Sequence, residues 1–206
     1  MISDPSGFTS AAGLSMTGVS LAGTALQLTN GSGTEATSVW YTTPVNVQSF
    51  TTDFEFLEIA ANADGFTFAL QNKGPTATGT LGGGLGYAGI GSSVAIKFDL
   101  YDNAGEGSDS TGVYLDGAYP STPSLDLTAS GVSLHGTDLL HAHVTYDGTT
   151  LSWTITDTVT GASYSASRVL DIPATVGGDT AYAGFTAGTG GLTAIQRIVN
   201  WTYSVN

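Results

Sequence analysis

Apolar and polar residues alternate with period two through most of the chain. Phe50, Thr52, Phe54 and Phe56 alternate with Thr51, Asp53 and Glu55, and Val94, Ile96, Phe98 and Leu100 alternate with Ala95, Lys97 and Asp99. Ala142, Val144 and Tyr146 alternate with His141, His143 and Thr145, and Trp153 and Ile155 with Thr154 and Thr156. Successive side chains of a strand point to opposite faces, so each run predicts a strand with one face inward. Aromatic and β-branched residues fill these runs, and Gly, Asn, Asp and Pro punctuate them. The run Tyr146-Asp147-Gly148-Thr149-Thr150-Leu151 predicts a hairpin turn between two such strands. No window of about 11 residues carries a convincing helical period. The longest irregular segments cover roughly residues 71–91, rich in Gly and Thr, and residues 104–110. No repeat is apparent and no linker divides the chain. The pattern predicts one domain over residues 1–206, an all-β antiparallel sandwich.

Composition narrows the function classes. Apolar residues make up 41% of the 206 residues, enough for a sizeable core, whereas charged residues are only 10%. The polar surface must therefore be mostly Ser, Thr, Asn and Gly, as on the outer faces of secreted sandwich modules. Four Lys and Arg against 17 Asp and Glu leave a formal net charge of −13. With no basic stripe, nucleic acid and anionic membrane surfaces are excluded as partners. There is no cysteine, so no disulfide and no thiolate metal site. The first residues, Met-Ile-Ser-Asp-Pro-Ser-Gly, have neither the basic nor the apolar region of a signal peptide, and no run of about 18 apolar residues is present. We expect a domain excised from a longer exported protein, with an extracellular or cell-surface location.

Three spaced segments carry candidate chemistry: Ala-Asn-Ala-Asp-Gly-Phe-Thr-Phe at 61–68, Gly-Gly-Gly-Leu-Gly at 82–86 and Val-Ala-Ile-Lys-Phe-Asp-Leu-Tyr-Asp-Asn at 94–103. In the last, Lys97 and Asp99 share one strand face while Ile96 and Phe98 enter the core. A carboxylate at the strand end, a main-chain carbonyl two residues on and an Asn amide oxygen are hard donors of the kind calcium takes in sets of about six to eight. Glu106 and Asp109 lie close by in sequence. The same run also reads as an Asp/Asn turn whose side chains cap their own backbone. Asp64 is placed to accept from two sugar hydroxyls, and Gly82 to Gly84 let main-chain amides approach a ligand. Taken singly, these two also read as an ordinary turn and a loop tip.

In combination and order the three segments resemble the legume (L-type) lectin domain, in particular its bacterial members. The likeness extends along the chain. Leu26-Gln27-Leu28-Thr29-Asn30 and Tyr41-Thr42-Thr43-Pro44 resemble the family's opening strands, and Val144-Thr145-Tyr146-Asp147 its later hairpin. Gly184-Phe185-Thr186-Ala187-Gly188-Thr189-Gly190 and Ile198-Val199-Asn200-Trp201-Thr202-Tyr203 resemble its closing pair. The resemblance implies a jelly roll of concanavalin type and non-catalytic, calcium-dependent binding of a mono- or oligosaccharide in a shallow pocket of four loops. A homodimer is the expected self-association. Asp64 matches the loop carboxylate that bonds sugar hydroxyls, in a family that usually has a cis peptide before it. Gly83 matches the glycine that offers its amide, with Gly84 beside it. Tyr101 matches the aromatic that stacks on the sugar while its carbonyl holds calcium, and Asn103 the residue that both ligates calcium and bonds the sugar. Gly191 and Leu192 fall in the fourth, specificity-setting loop. Asp99 matches the central calcium carboxylate, and Glu106 and Asp109 both qualify as the last acidic ligand.

One departure is plain. The family's second, transition-metal site uses a Glu two residues before the central Asp and a His downstream. Here the first position is Lys97, and the second region reads Ser110-Thr111-Gly112. The second metal is therefore expected to be lost, with the Lys97 ammonium in its place and paired with Asp99. Other candidates are weaker. His141 and His143 share one strand face and are expected on a solvated sheet surface, and His135 stands alone in a polar loop. The sequons Asn30-Gly31-Ser32 and Asn200-Trp201-Thr202 match by pattern only. Trp40, Trp153 and Trp201 are expected in the core. Two alternatives remain: a sandwich glycoside hydrolase and a structural or adhesive module without sugar affinity. Against the first, the acid run at Asp53, Glu55 and Glu58 lacks the Glu-x-Asp-x-x-Glu arrangement of sandwich glucanases.

Overall fold

The computed structural model describes residues 1–206, and its regular structure is almost entirely strand. The strands are Ile2–Asp4 (β1), Leu14–Thr17 (β2), Ser20–Ala22 (β3), Ala25–Gln27 (β4), Ala36–Tyr41 (β5), Val45–Asn46 (β6), Phe50–Ile59 (β7) and Gly65–Gln71 (β8). They continue with Ser93–Asp99 (β9), Ser110–Leu115 (β10), Leu125–Asp126 (β11), Leu140–Tyr146 (β12), Thr150–Asp157 (β13), Ser163–Val169 (β14), Thr180–Gly188 (β15) and Ile195–Val205 (β16). The one α-helix, Ile172–Val176 (α1), is a single short turn started by the Asp171 carboxylate, which accepts from the Ala174 amide at 2.9 Å. Two antiparallel sheets result. One runs β14-β13-β12-β7-β16-β4-β3 with β1 joined to β16, and the other β11-β10-β9-β8-β15-β5-β2 with β6 joined to β15. This is the all-β sandwich that the alternation predicts.

Strand parity decides what lies between the sheets. Phe50, Phe54 and Phe56 on β7 face Phe66 and Phe68 on β8, Ile96 and Phe98 on β9 and Phe185 on β15. Phe54 stands at the centre, with five phenylalanine rings at centroid distances from 5.0 to 6.5 Å. Trp153 and Trp201 join this core; Trp201 anchors its polar edge by donating from Nε1 to Thr52 Oγ1 at 2.9 Å. The predicted hairpin is β12 to β13, held by Asp147 Oδ1, which accepts from the amides of Thr149 and Thr150 at 2.8 Å each.

The long Gly/Thr-rich segment is not a free loop. It folds back over the outer face of β5, β8 and β9, and builds a second, smaller core of Trp40, Ala69, Tyr87, Ile90, Ala95 and Tyr114. Trp40 Nε1 donates to Ala77 O at 2.7 Å, and Thr186 Oγ1 to Leu85 O at 2.8 Å. Both faces of β8 and β9 are therefore buried over their whole length. Lys97 and Asp99, though turned away from the main core, do not reach solvent either, because the segment carrying Ser121 passes over them.

Replacing Phe54 by Ala removes the ring on which five others pack. The expected loss is about 3–5 kcal/mol of unfolding free energy, measured by denaturant titration.

Candidate functional site

Three chain segments meet at one end of the second sheet because β8 and β9 pair there without an intervening side chain. Gly65 lies opposite Asp99 in the register. A Cβ on Gly65 would stand 2.3 Å from Phe98 O, and its φ of +137° is one that only glycine adopts freely. The peptide before it, Ala63-Asp64, is cis. Asp64 is then bound on both sides by main chain: its carbonyl accepts from Leu100 N at 2.8 Å, and its amide donates to Gly188 O at 3.2 Å.

Around Asp64 opens a cavity of about 430 Å³, lined by Ala63, Asp64, Gly82, Gly83, Tyr101, Asn103, Gly190, Gly191 and Leu192. It brings together Asp64, Gly83, Tyr101, Asn103, Gly191 and Leu192 from four stretches of sequence. Asp64 Oδ2 is buried and has no hydrogen-bond partner. Burial pushes its carboxyl above the ordinary range, and the nearby Asn103 amide and Gly190 main chain pull it partly back. Gly83 stands so close to Asn103 that a Cβ there would come within 2.5 Å of the amide nitrogen. Tyr101 and Leu192 are 41% and 51% exposed and form an apolar rim. The loop that carries Gly190 is tied down by Thr34 N to Gly190 O at 3.0 Å and Gly82 N to Thr189 O at 3.1 Å.

Gly84 is a correction. It does not line the cavity: it faces Thr80, whose Oγ1 would be 2.0 Å from a Cβ, and its amide donates to Leu81 O at 3.2 Å. A triple glycine can bring only some of its amides to one side when it turns through a 3-10 helix, here Gly82–Gly84. Gly82, expected with its neighbours to bring main-chain amides to a ligand, does line the cavity, and Ala63 and Gly190 join it without having been singled out as site residues. Gly190 carries no side chain for a motif to register, and only the clustering of glycine at 188–191 hinted at it.

Behind the cavity lies a buried group of charges. Lys97, Asp99 and Glu106 are 0%, 1% and 5% exposed. Lys97 Nζ donates to Asp99 Oδ2 at 2.7 Å and to Ser121 O at 3.1 Å, and lies 5.6 Å from the centre of the Tyr114 ring. The shared strand face thus produces the expected pairing. The Asp99 carboxyl is pushed up to about 6, chiefly by burial; Lys97 and the Tyr101 amide pull it down and Glu106 pushes it further up. Glu106 Oε2 accepts from Ala104 N at 2.5 Å. Asn103 Nδ2 donates to Tyr101 O at 3.3 Å, and Tyr101 N to Asp99 Oδ1 at 3.2 Å. The Asp99 carboxylate, Tyr101 carbonyl, Asn103 amide and Glu106 carboxylate therefore share one turn of chain.

Asp109 is engaged elsewhere: its Oδ1 accepts from Leu134 N at 2.6 Å and faces His135 Nδ1 at 3.3 Å, so it ties the 127–135 segment to the start of β10. Ser110, opposite Asp99 in the register, has a buried hydroxyl with no partner. No three His, Asp or Glu side chains converge anywhere to hold a metal. A cation behind the cavity would thus rest on two carboxylates supplemented by carbonyl and amide oxygens. That donor set suits a hard cation such as calcium, and Asp99 with Glu106 leaves one buried negative charge beyond what Lys97 neutralises. His141 and His143 sit half-exposed on the first sheet around Asp53, at 3.2 and 2.7 Å, as expected for a solvated face.

Comparison with known proteins follows the same lines. The family model described as "Legume lectin domain" matches residues 6–206. Favin from Vicia faba is 29% identical over 177 residues, 80% of this chain and 74% of favin. An L-type lectin-domain containing receptor kinase, IX.2, from Arabidopsis thaliana is 25% identical over 185 residues, 81% of this chain. The match spans only 27% of that kinase's length. Among solved structures, the lectin from Bauhinia forficata in complex with GalNAc superposes with a TM-score of 0.84 at 24% identity, covering 98% of this chain and 96% of that one.

Removing the ammonium by Lys97→Met leaves Asp99 and Glu106 buried with no countercharge. Without added cation, the expected cost is about 3–5 kcal/mol in denaturant unfolding.

Proposed function

The chain belongs to the legume lectin domain family, and from that premise we propose that it is a non-catalytic, calcium-dependent carbohydrate-binding domain acting as a module of an exported protein. The observation that carries this reading is the convergence of Asp64, Gly83, Asn103 and Tyr101 on one cavity of about 430 Å³. A sugar presents an apolar ring face and a fringe of hydroxyls. The Tyr101 ring and Leu192 offer the apolar contact. Asp64 Oδ2, a buried acceptor without a donor, is ready for a hydroxyl, and the Gly83 amide and Asn103 side chain complete the polar set.

Calcium, when bound, would supply a fixed positive charge behind the cavity. Asp99, the Tyr101 carbonyl, Asn103 and Glu106 would hold it. The chain's own part is preorganisation. Asp64 is fixed through its main chain to Leu100, and Asn103 is confined against Gly83, so recognition needs little ordering. Lys97 occupies the place where the family pattern would put a second metal ligand, which favours a single metal site. A shallow pocket with so few polar groups should bind one sugar at roughly millimolar to tens of micromolar, or about −4 to −6 kcal/mol.

Catalysis fits the geometry poorly. Glycoside hydrolysis needs two accessible carboxyl groups about 5–9 Å apart. Asp64 is the one carboxylate that lines this cavity, and Asp99 and Glu106 are buried behind it.

A glycan array with and without a calcium chelator tests the reading. Binding in calcium that is lost with chelator supports it; turnover of a polysaccharide, or silence in both conditions, overturns it. Gly83→Ala should displace the Asn103 amide and lower affinity at least about tenfold, read by titration calorimetry with the glycan found, while the circular dichroism spectrum stays unchanged.

A further inference from the structure

The inward positions of β7 run Phe54, Phe56 and then Glu58, an acid where the strand's parity demands an apolar residue. Glu58 is 2% exposed, and neither of its carboxyl oxygens has a hydrogen-bond partner. Directly across the ladder on β16 lies Gln196, also fully buried. Its amide nitrogen donates to Gly188 O at 3.3 Å, but its amide oxygen has no donor. Cross-strand partners hold their Cβ atoms about 4.5–5.5 Å apart, within easy reach for these two side chains. The pair therefore leaves three buried acceptor atoms without a donor. Leaving buried polar atoms unsatisfied costs about 1–3 kcal/mol each, and an unpaired buried charge costs more. A single proton on Glu58 turns one of its oxygens into a donor to Gln196 Oε1, which satisfies two of the three and removes the buried charge.

We propose that Glu58 is a neutral carboxylic acid whose hydroxyl donates to Gln196 Oε1, and that this buried bond positions Gly188 and, through it, Asp64 of the sugar pocket. The chain of contacts is short. Gly188 O receives the Gln196 amide and also the Asp64 amide, at 3.3 and 3.2 Å. Gly188 stands opposite Gly65 in the ladder, next to Asp64. Glu58 and Gln196 thus back the pocket from inside the sandwich and touch no ligand, which makes them positioning residues. The functional half of the inference rests on the carbohydrate-binding reading; the protonation half does not.

The surroundings favour the neutral form. Burial pushes the Glu58 carboxyl well above the ordinary range, and no charged side chain contributes to that displacement. The charged groups on neighbouring elements are engaged elsewhere. Arg197 bonds to Gln27 Oε1, Glu55 to the Asn200 amide, and Glu35 accepts from the Asn30 amide. Asp64 opens on the cavity. Because the folded value is raised, Glu58's contribution to stability is complete below the ordinary Glu range and is lost as pH rises through the folded value.

The test needs the wild type, Glu58→Gln, Glu58→Leu and Gln196→Met. At neutral pH the wild type should show a protonated-carboxyl stretch in the infrared that is missing from Glu58→Gln, whose amide still donates to Gln196. Amide exchange at Asp64, read without sugar, should quicken roughly fivefold to tenfold in Glu58→Leu and Gln196→Met and stay at the wild-type rate in Glu58→Gln. Glycan affinity should follow the same order. Should Glu58→Leu fail to fold, the infrared comparison and Gln196→Met still decide. The inference is overturned if the neutral-carboxyl signal is absent or persists in Glu58→Gln, or if Asp64 exchange in Gln196→Met matches the wild type. If these signals appear and no glycan binds, the carbohydrate reading falls while the buried bond stands.

Discussion

Everything at the candidate site depends on how closely β8 approaches β9 at Gly65. With no Cβ in the way, Asp64 O reaches Leu100 N at 2.8 Å, and the pocket carboxylate is fastened to the strand that also carries Asp99. The same two strands stack Phe66 on Phe98 in the main core, with ring centroids 4.6 Å apart. One face of the β8–β9 pair is therefore the centre of the hydrophobic sandwich, and the other is the floor of the charged group. Site geometry and core packing are two consequences of one register. A side chain at position 65 would force the strands apart and disturb both.

The charged group shows what the covering loops contribute. Lys97 and Asp99 point away from the main core, where an ordinary sandwich would be wet. Here residues 116–124 pass over them, with Ser121 O accepting from Lys97 and the Tyr114 ring beside it. In that dry setting the ion pair is a poor source of net stability, since desolvation offsets most of the attraction. Its value is geometric: it fixes the Asp99 carboxylate in one orientation. Glu106 adds a second buried carboxylate with no ammonium of its own, which raises the Asp99 carboxyl further.

Much of this was legible in the sequence, because strands report their faces by parity. The inward Phe54 and Phe56, the core tryptophans and the pairing of Lys97 with Asp99 all follow from period two. The spacing of Asp64, Gly83, Tyr101 and Asn103 also survives as a shared cavity. What parity does not encode is where loops turn. Glu106 and Asp109 are three residues apart in an irregular segment, and only the fold sends one toward Asp99 and the other to Leu134. Gly83 and Gly84 are likewise indistinguishable as letters until a 3-10 turn points them to opposite sides. Glu58 stood out in the sequence only as part of an acid run, and its inward position comes from the strand's extension to Ile59. That it meets an amide and no cation depends on β16, more than a hundred residues away in sequence.

The pocket's polar groups are few and largely main chain, and this constrains how it can discriminate. Asp64 is held by Leu100 on one side and Gly188 on the other, so its carboxylate has little freedom to follow different ligands. Asn103 is confined by Gly83. On the proposed reading, a fixed acceptor and a fixed amide would select a pair of hydroxyls of set geometry, whichever sugar carries them. The remaining wall is Gly191, which has open space where a Cβ would be, and the exposed Leu192. For a sugar bound as proposed, that wall can sort ligands by shape and apolar contact but offers no side-chain hydrogen bond. Selectivity among sugars that share the required hydroxyl pair must therefore arise from steric exclusion at Leu192. Such exclusion is a weaker discriminator than an unpaired buried polar group would be.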